Sequence, residues 1–353
     1  MKRSMRKATG ALPRPITIQD VADEMGMHKS TISLALSGRG NIAERTRVRV
    51  MTKAREMGYS PNPLAQRLAF GGNNNVVYIF SGVLDVGLAT EKVLLLQRHL
   101  NRLKLETPIY TCGETNANEE LRQLCLQRPR ALICAAQMID KALLGELEAY
   151  QKNGGIVITY DIALPFNCDQ VVFDREDNAY QAARYLLEHG HRQLGLSISH
   201  PADWEQKTNV PQDLRVAGFK RALAEFKVPF HPEWLFENPT YETGGAALAQ
   251  KFLALKKRPS ALCIVNDYVA LAFMTQIMRA GVRVPHEVSI IGHDDQPVAE
   301  YCPVPLTCIS QPVQKTIGAV VELLKERLEG STAAPRTITI KGQLVQRQSV
   351  KAR

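Results

Sequence analysis

Apolar residues recur at helical spacing three times within the first 60 residues. The three sets are Ile18, Val21, Ala22 and Met25; Ile32, Ala35 and Leu36; and Val48, Met51 and Ala54. Gly26 follows the first set, where a left-handed residue commonly ends a helix, and the second set begins a few residues later. The pattern predicts a helix-turn-helix and then a third helix over about 44–57, with Val48, Met51 and Ala54 facing inward.

After residue 75 the pattern changes to short apolar runs that alternate with amphipathic segments. The apolar runs are 76–80, 131–134, 156–159, 194–198, 261–265 and 288–291. The amphipathic segments between them include 119–127, 178–189, 214–226, 246–255 and 270–280. Strands that alternate with helices indicate doubly wound parallel sheets, and this number of strands is enough for two. The predicted fold class is an all-α helix-turn-helix headpiece joined to an α/β body of two doubly wound parallel sheets.

Polar side chains follow several of these predicted strands. Because doubly wound sheets bind ligands at the carboxyl ends of their strands, these side chains are candidates for a binding site. The candidates are Ser81, Asp161, Asn266, Asp267, His293, Asp294 and Asp295, together with Arg215 at a helix start. For Asp161 and Asp294 the alternative is that each only caps the element that follows it.

The net charge of +9 is concentrated at one end of the chain. Residues 1–70 contain 13 Lys and Arg against 5 Asp and Glu, which leaves the remaining residues almost neutral. A basic module on a neutral body suits a polyanion that binds at one end only, since phosphate contacts favour local positive charge. We expect residues 1–15 to form a disordered basic arm.

Composition argues against several other protein classes. The seven cysteines include no C-x-x-C pair, so neither a zinc ribbon nor a disulfide framework is predicted. No apolar stretch reaches the length of a membrane helix, and Ala8 to Leu12 is too short for the core of a signal peptide. We therefore expect a cytoplasmic, nucleoid-associated protein with no membrane partner.

An enzyme is the first rival interpretation of the α/β body. The sequence has no G-x-G-x-x-G after a strand and no G-x-S-x-G, and Leu88-Ala89 stands where a phosphate-binding loop needs Lys-Ser/Thr. His189 and His191 do not belong to a metal-ligand pattern. We expect no catalytic residues, no cofactor and no metal site.

Four short motifs carry a specific resemblance. They are TIQDVA at 17–22, GMHKSTIS at 26–33, TRVRV at 46–50 and GYSPN at 58–62. In this order and spacing they resemble the DNA-binding region of the lactose/galactose repressor (LacI/GalR) family of bacterial transcription regulators. The resemblance implies that Lys29, Ser30 and Leu34 contact base edges in the major groove. It also implies that the other DNA-binding residues of the headpiece are Thr17, Thr31, Ser33 and Asn41.

The first of these helices has typical capping residues, and the other two do not. Thr17 and Asp20 have the spacing of a capping box at the start of the first helix. His28 and Ala43 stand where many family members place a capping serine. We expect each to lack a capping oxygen, at a cost of roughly 0.5–2 kcal/mol.

Residues 61–70 follow the headpiece and are too few to form a persistent isolated helix in water. The resemblance implies that two such hinge helices, one from each subunit, fold together in the minor groove, with Leu68 wedged between central base steps. The implied DNA-binding residues of the hinge are Asn62, Leu64, Ala65 and Leu68. The alternative is a plain interdomain linker.

The resemblance continues through the body to about residue 348, through R-x-x-G-F at 215–219, G-x-D-D at 292–295 and L-T-x-I-x-Q at 306–311. It implies a periplasmic-binding-protein-like sensor with two lobes. The implied effector-binding residues are Ser81, Asp161, Phe173, Arg215, Tyr241, Asn266, Asp294 and Gln311. Carboxylates, a guanidinium and a flat aromatic face suit a sugar or polyol, although lobe 1 lacks the usual Asn-Pro-aromatic stretch after Ser81 and has Ala135-Ala136 where a polar residue is frequent.

The predicted partners are a palindromic double-stranded DNA operator, a small-molecule effector of carbohydrate type and a second copy of the chain in a homodimer. A repressor is favoured, and the alternatives are an activator of the same family and a solute-binding protein without a regulatory role. The predicted domains are an arm over 1–15, a helix-turn-helix domain over 16–60, a hinge helix and linker over 61–74, and an effector-binding and dimerisation domain over 75–348. Lobe 1 is expected over about 75–173 and 312–340, and lobe 2 over about 174–311 and 341–348.

Overall fold

A computed structural model describes residues 16–37, 41–59, 75–82, 84, 88–111, 117–139, 141–199, 213–238 and 241–353. The chain forms two compact units, Met1–Asn74 and Asn75–Arg353. We call the first unit the headpiece and the second the body. The predicted arm over 1–15 and hinge over 61–74 lie outside the described residues.

The headpiece contains three helices, α1 (Ile18–Met25), α2 (Lys29–Ser37) and α3 (Glu44–Glu56). The capping box predicted at α1 is present, because Asp20 N donates to Thr17 Oγ1 at 3.3 Å and Thr17 N donates to Asp20 Oδ2 at 2.7 Å. Gly26 ends α1 with a φ of 61°, a left-handed conformation that glycine adopts at little cost. The helix-turn-helix prediction is confirmed.

The headpiece core differs from the predicted one in α3. Val21, Ala22, Ile32 and Ala35 are buried as expected, but α3 contributes Val50 and Ala54. Val48 and Met51 are 53% and 49% exposed, so the prediction that they face inward was wrong. Val50 and Ala54 are four residues apart and define a stripe with the same helical period but a different phase.

Lobe 1 of the body is a six-stranded sheet in the order β11-β5-β4-β3-β1-β2, with all pairs parallel. Its strands are β1 (Val77–Ser81), β2 (Ile109–Thr111), β3 (Ala131–Ala135), β4 (Ile156–Asp161), β5 (Asp169–Phe173) and β11 (Thr337–Ile340). Its helices are α4 (Leu88–Arg102), α5 (Ala117–Leu126), α6 (Lys141–Lys152) and α12 (Val313–Leu328). Helices α4 and α12 pack on one face of the sheet and α5 and α6 on the other, which is the doubly wound arrangement.

Lobe 2 repeats this architecture with the strand order β12-β10-β9-β8-β6-β7. Its strands are β6 (Leu194–Ser199), β7 (Leu235–Asn238), β8 (Ala261–Ile264), β9 (Ser289–Asp294), β10 (Thr307–Ser310) and β12 (Gln343–Val345). Its helices are α7 (Arg175–Glu188), α8 (Asp213–Glu225), α9 (Tyr241–Ala254), α10 (Asp267–Arg279) and α11 (Val298–Tyr301). All strand pairs are parallel except β10 with β12. The predicted fold class is confirmed.

The chain passes between the lobes three times, after β5, after β10 and after β11. At the third crossing Gly342 N donates to Asn178 Oδ1 at 2.8 Å. A Cβ atom on Gly342 would lie 2.5 Å from that oxygen, so only glycine fits this close approach. The crossings lie at the carboxyl ends of β5, β10 and β11.

Candidate DNA-binding surface and effector cleft

The outer face of α2 carries the side chains predicted to contact bases. Ile32 and Ala35 face the headpiece core, while Lys29 and Ser30 are exposed and Leu34 is half-buried. Of the other predicted DNA-binding residues of the headpiece, Thr17 and Asn41 are exposed, and Thr31 and Ser33 are half-buried. The helix therefore presents ammonium, hydroxyl and apolar groups together, which can read base edges in a major groove.

The start of α2 departs from the expectation for His28. Its ring nitrogen Nδ1 accepts from Ser30 N at 3.4 Å and lies 2.8 Å from Ser30 Oγ. Because a backbone N–H can only donate, Nδ1 carries no proton in this arrangement and the Ser30 hydroxyl donates to it. His28 lacks a capping oxygen, as predicted, but its imidazole nitrogen takes the place of that oxygen, so the predicted loss of the cap was wrong. Ala43 makes no side-chain cap to α3, as expected.

In the body, the predicted carboxylates lie at the ends of two strands. Asp161 ends β4 with a φ of 89°, and Asp294 ends β9 with a φ of 103°. A positive φ is unfavourable for a residue with a side chain and is typical of functional sites. In the described part of the chain both carboxylates accept from side chains rather than from a helix backbone. The alternative that Asp161 and Asp294 only cap the elements that follow them is therefore wrong.

One hydrogen-bonded chain connects the two lobes. In lobe 1 the buried Lys92 of α4 forms an ion pair with Asp161, and its Nζ also donates to Gln311 Oε1 at 3.2 Å. Gln311 lies directly after β10 and donates through Nε2 to Asp294 Oδ1. Asn266 Nδ2 approaches the other Asp294 oxygen at 3.5 Å. The chain Asp161–Lys92–Gln311–Asp294–Asn266 thus spans the cleft, and we call it the cleft bridge.

Asn266 is held in place by the helix that it precedes. Its Oδ1 accepts from Tyr268 N at 2.9 Å and from Val269 N at 3.2 Å, so Asn266 is the N-cap of α10. This leaves its amide nitrogen to point towards Asp294. Asn266 therefore caps α10 with its oxygen and contacts Asp294 in the cleft with its nitrogen.

Two arginines at helix starts complete the lobe 2 side. Arg175 is the first residue of α7 and donates through Nη1 to the Asp161 backbone oxygen at 2.8 Å, and Arg215 lies in the first turn of α8. Burial and, to a smaller extent, the charge of Arg175 lower the pKa of Arg215 to about 9, although the charge of Asp294 acts in the opposite direction. Burial also lowers the pKa of Arg175. These two guanidinium groups thus lie close enough to repel each other.

Asp294 also has a shifted acidity. Burial raises the pKa of its carboxyl group to about 6, although the Gln311 hydrogen bond and the charges of Arg215, Lys92 and Arg175 favour the ionised form. Groups with strongly shifted pKa values in a cleft are typical of binding sites.

The other predicted effector residues are less closely connected. Ser81 is buried at the end of β1 next to Tyr160, and Phe173 is buried at the end of β5. Tyr241 begins α9, but its side chain lies outside the described residues, as do Asn62, Leu64, Ala65 and Leu68 of the hinge. The structure thus connects Asp161, Asn266, Asp294 and Gln311 directly, with Arg215 close to Asp294.

Sequence reasoning missed Lys92 and Arg175, although both leave a signal. Lys92 interrupts the apolar stripe of α4 between Leu88 and Leu96 at the four-residue spacing of a buried face. Arg175 places a cation at the amino end of a helix, where the helix dipole disfavours it. A charge that breaks a local rule is a candidate functional residue.

Two family models match this chain. The model for bacterial regulatory proteins of the lacI family matches residues 17–62, and the model for a periplasmic binding protein-like domain matches residues 183–350. The chain belongs to the LacI/GalR family. It is therefore a DNA-binding transcription regulator with a helix-turn-helix headpiece and a periplasmic-binding-protein-like body.

Known members of the LacI/GalR family resemble it over nearly their whole length. The HTH-type transcriptional repressor PurR of Vibrio parahaemolyticus is 28% identical over 95% of this chain and 98% of the relative, and PurR of Aliivibrio fischeri strain ES114 is 28% identical over 96% and 99%. Among solved structures, the lac repressor dimer bound to operator and the anti-inducer ONPF superposes with a TM-score of 0.81 at 23% identity, covering 96% of this chain and all of that one. A CelR–cellobiose complex has a TM-score of 0.70 at 23% identity, with 95% and 100% covered.

The described residues contain neither a membrane-spanning helix nor a metal-ligand cluster. No helix there is long and apolar enough to cross a membrane. No group of three or more His, Cys, Asp or Glu side chains there is arranged to hold a metal ion.

Proposed function

We propose that this regulator is a repressor that binds a palindromic operator as a homodimer, and that a small molecule of carbohydrate type in the cleft controls its operator affinity. The cleft bridge is the observation that carries the proposal. It joins the lobes through polar side chains at strand ends, where doubly wound sheets bind their ligands. A ligand that displaces or completes the bridge changes the relative stability of open and closed lobes.

The bridge groups have the chemistry of a polyol site. Carboxylates accept from ligand hydroxyls, the Asn266 and Gln311 amides both donate and accept, and Arg215 offers a planar fork of donors. The buried ring of Phe173 at the end of β5 is suited to the apolar face of a sugar. Solved family relatives include a CelR complex with cellobiose and an Enterococcus faecium regulator with bound ribose.

The headpiece supplies the DNA contacts in this proposal. Lys29, Ser30 and Leu34 read base edges, and Thr17, Thr31, Ser33 and Asn41 position the headpiece on the backbone. The hinge residues Asn62, Leu64, Ala65 and Leu68 contact the minor groove. One headpiece covers one half-site, so a two-fold operator requires a dimer, and relatives with solved structures include a lac repressor dimer on its operator.

The regulatory effect corresponds to a coupling free energy between effector binding in the cleft and operator binding by the headpiece. A tenfold change in operator affinity requires about 1.4 kcal/mol of coupling between cleft and headpiece, which is within reach of one or two hydrogen bonds gained or lost in the bridge. The proposed function involves no catalytic step. It places the protein in the cytoplasm, bound to the chromosome.

In vitro selection tests the proposal. The purified full-length protein is incubated with randomised duplex DNA at fixed, near-physiological salt, since phosphate contacts depend strongly on ionic strength. Enrichment of a palindrome with a flexible central step supports a dimeric regulator with hinge contacts. Enrichment of single, unpaired half-sites argues against the dimer, and no enrichment argues against sequence-specific binding.

A further inference from the structure

The charges of the cleft do not balance, and the imbalance lies on the lobe 2 side. On the lobe 1 side, Lys92 and Asp161 form a buried ion pair and neutralise each other. On the lobe 2 side, the two guanidinium groups of Arg175 and Arg215 interact with one carboxylate, that of Asp294. These five side chains therefore carry one more positive than negative charge, and burial raises the pKa of the neighbouring Asp267, which favours its neutral form.

The hydrogen bonds show which of these charged groups already have partners and which do not. Both Asp294 oxygens are already occupied, one by Gln311 and the other by Asn266. Arg175 uses Nη1 for the Asp161 backbone oxygen, while its buried Nε has no hydrogen-bond partner among the described residues. In that part of the chain the Arg215 guanidinium has no hydrogen-bond partner either. Apart from Nη1 of Arg175, the guanidinium donors of these two side chains thus have no acceptor among the described residues.

The packing of two helices brings the two arginines close together. Arg175 begins α7 and Arg215 is in the first turn of α8, and these helices pack tightly because residue 218 is glycine. A Cβ atom on Gly218 would lie 1.9 Å from the Glu176 backbone oxygen. Both guanidinium groups therefore lie at the positive ends of neighbouring helices, where the backbone also favours an anion.

We propose that the effector carries an anionic group, a carboxylate or a phosphate, that Arg175 and Arg215 hold between them. The uncharged part of the effector contacts Asp161, Asn266 and Phe173. Guanidinium forks match the paired oxygens of both anions, and the added negative charge neutralises the cleft. This inference rests on the proposed effector site and narrows the ligand from a neutral sugar to an acidic or phosphorylated one.

Ligand-dependent thermal unfolding of the full-length protein tests this inference. The probes are inorganic phosphate, glucuronate, glucose 6-phosphate and glucose, at equal concentration and with ionic strength matched by sodium chloride. The variants are Arg175→Gln and Arg215→Gln. The matched control is Arg184→Gln, because Arg184 lies on the same helix as Arg175 but pairs on the surface with Glu188 at 2.8 Å.

We expect at least one anionic probe to raise Tm by about 2–4 °C more than glucose does, since a ligand that binds only the folded state stabilises it. The increase should disappear in both cleft variants and remain in Arg184→Gln. A response to glucuronate alone identifies a carboxylate, and a response to the phosphates alone identifies a phosphate. The inference is overturned if glucose raises Tm by as much as the anions do. It is also overturned if no anion raises Tm, or if the increase in Tm survives in the cleft variants.

A ligand-free measurement gives an independent readout. Because Arg215 is partly buried without an acceptor, Arg215→Gln should leave Tm unchanged or raise it in the absence of probes. A fall in Tm greater than that of Arg184→Gln would assign Arg215 a structural role and overturn the inference. Operator selection distinguishes the two proposals, because intact sequence-specific binding together with a preference for glucose refutes only the anionic effector.

Discussion

The ammonium nitrogen of Lys92 lies 3.2 Å from the side-chain oxygen of Gln311. Lys92 belongs to lobe 1, and Gln311 lies where the chain leaves β10 of lobe 2. Because the amide nitrogen of Gln311 also donates to Asp294, a single side chain contacts charged groups of both lobes. Relative movement of the lobes therefore strains or breaks hydrogen bonds of Gln311, which makes this residue the natural place to test regulation.

Replacement of Gln311 by methionine should change operator affinity without touching the headpiece. The variant removes both amide contacts but keeps the volume and the Lys92–Asp161 pair. We expect a change of at least about threefold in the Kd for the selected operator, measured by fluorescence anisotropy at fixed salt. The matched control is Gln123→Met on the exposed face of α5, which should match the wild type. Equal Kd values for all three proteins would show that the bridge is not coupled to DNA binding.

Lys92 and Asp161 should behave as a coupled pair. Lys92→Met leaves the Asp161 carboxylate buried without its cation, and loss of one partner of a buried pair costs about 3–5 kcal/mol. The double variant Lys92→Met/Asp161→Asn removes both charges and should recover most of that loss. Urea unfolding of the four proteins in this cycle gives the interaction energy. Additive losses would mean that the pair is not coupled.

The cap at the start of the recognition helix gives a third prediction. His28→Ala removes the Nδ1 acceptor of Ser30 N and Ser30 Oγ, so it should cost roughly 0.5–2 kcal/mol and loosen α2. His28→Asn supplies a new capping oxygen and should restore the loss. Hydrogen exchange of the α2 amides and operator affinity report the effect in the full-length protein. If alanine and asparagine give the same exchange rates as histidine, the cap is unimportant.

The buried His191 should make the body less stable in acid. Its Nδ1 lies 2.9 Å from Ser260 Oγ and its Nε2 lies 3.0 Å from the Lys351 backbone oxygen. Burial lowers its pKa to about 4, whereas an unfolded histidine titrates near 6.5. A depressed pKa means that the stabilisation is full above pH 6.5 and is lost as the pH falls towards 4, by at most about 3 kcal/mol.

Urea unfolding at pH 7 and pH 4.5 measures this effect. Another buried histidine, His293, also has a pKa lowered to about 4 by burial, so wild-type protein alone cannot isolate His191. His191→Gln should show a smaller loss of stability between the two pH values than the wild type does. Identical losses would assign the acid sensitivity to other groups.

Six of the eight described strands that lie inside the sheets, and the helices of the headpiece, could be predicted because burial leaves a clear pattern. The apolar runs ending at 80, 134, 159, 198, 265 and 291 correspond to β1, β3, β4, β6, β8 and β9, which lie inside their sheets. Edge strands such as β2 and β11 were not recognised from their apolar pattern. They are short and only partly buried, so their residues carry little hydrophobic signal.

The candidate site was predictable where it follows from strand ends and less so where it depends on tertiary contact. Asp161 and Asp294 follow apolar runs, and this placed them at the carboxyl edges of their sheets. Lys92 lies in the middle of a helix, and only the packing of α4 against the lobe 1 sheet brings its ammonium to Asp161. The role of His28 depends on ring orientation, which residue spacing does not specify.

Dimeric, sequence-specific binding is tested most directly by comparing the Kd of the full-length protein for the selected palindrome with its Kd for the same duplex with one half-site scrambled. Anisotropy titrations are made at fixed salt with the wild type and with Lys29→Ala/Ser30→Ala. We predict that scrambling one half-site weakens wild-type binding at least about a hundredfold, and that the double variant binds both duplexes equally weakly. Equal wild-type affinity for the two duplexes would contradict a dimeric, sequence-reading regulator.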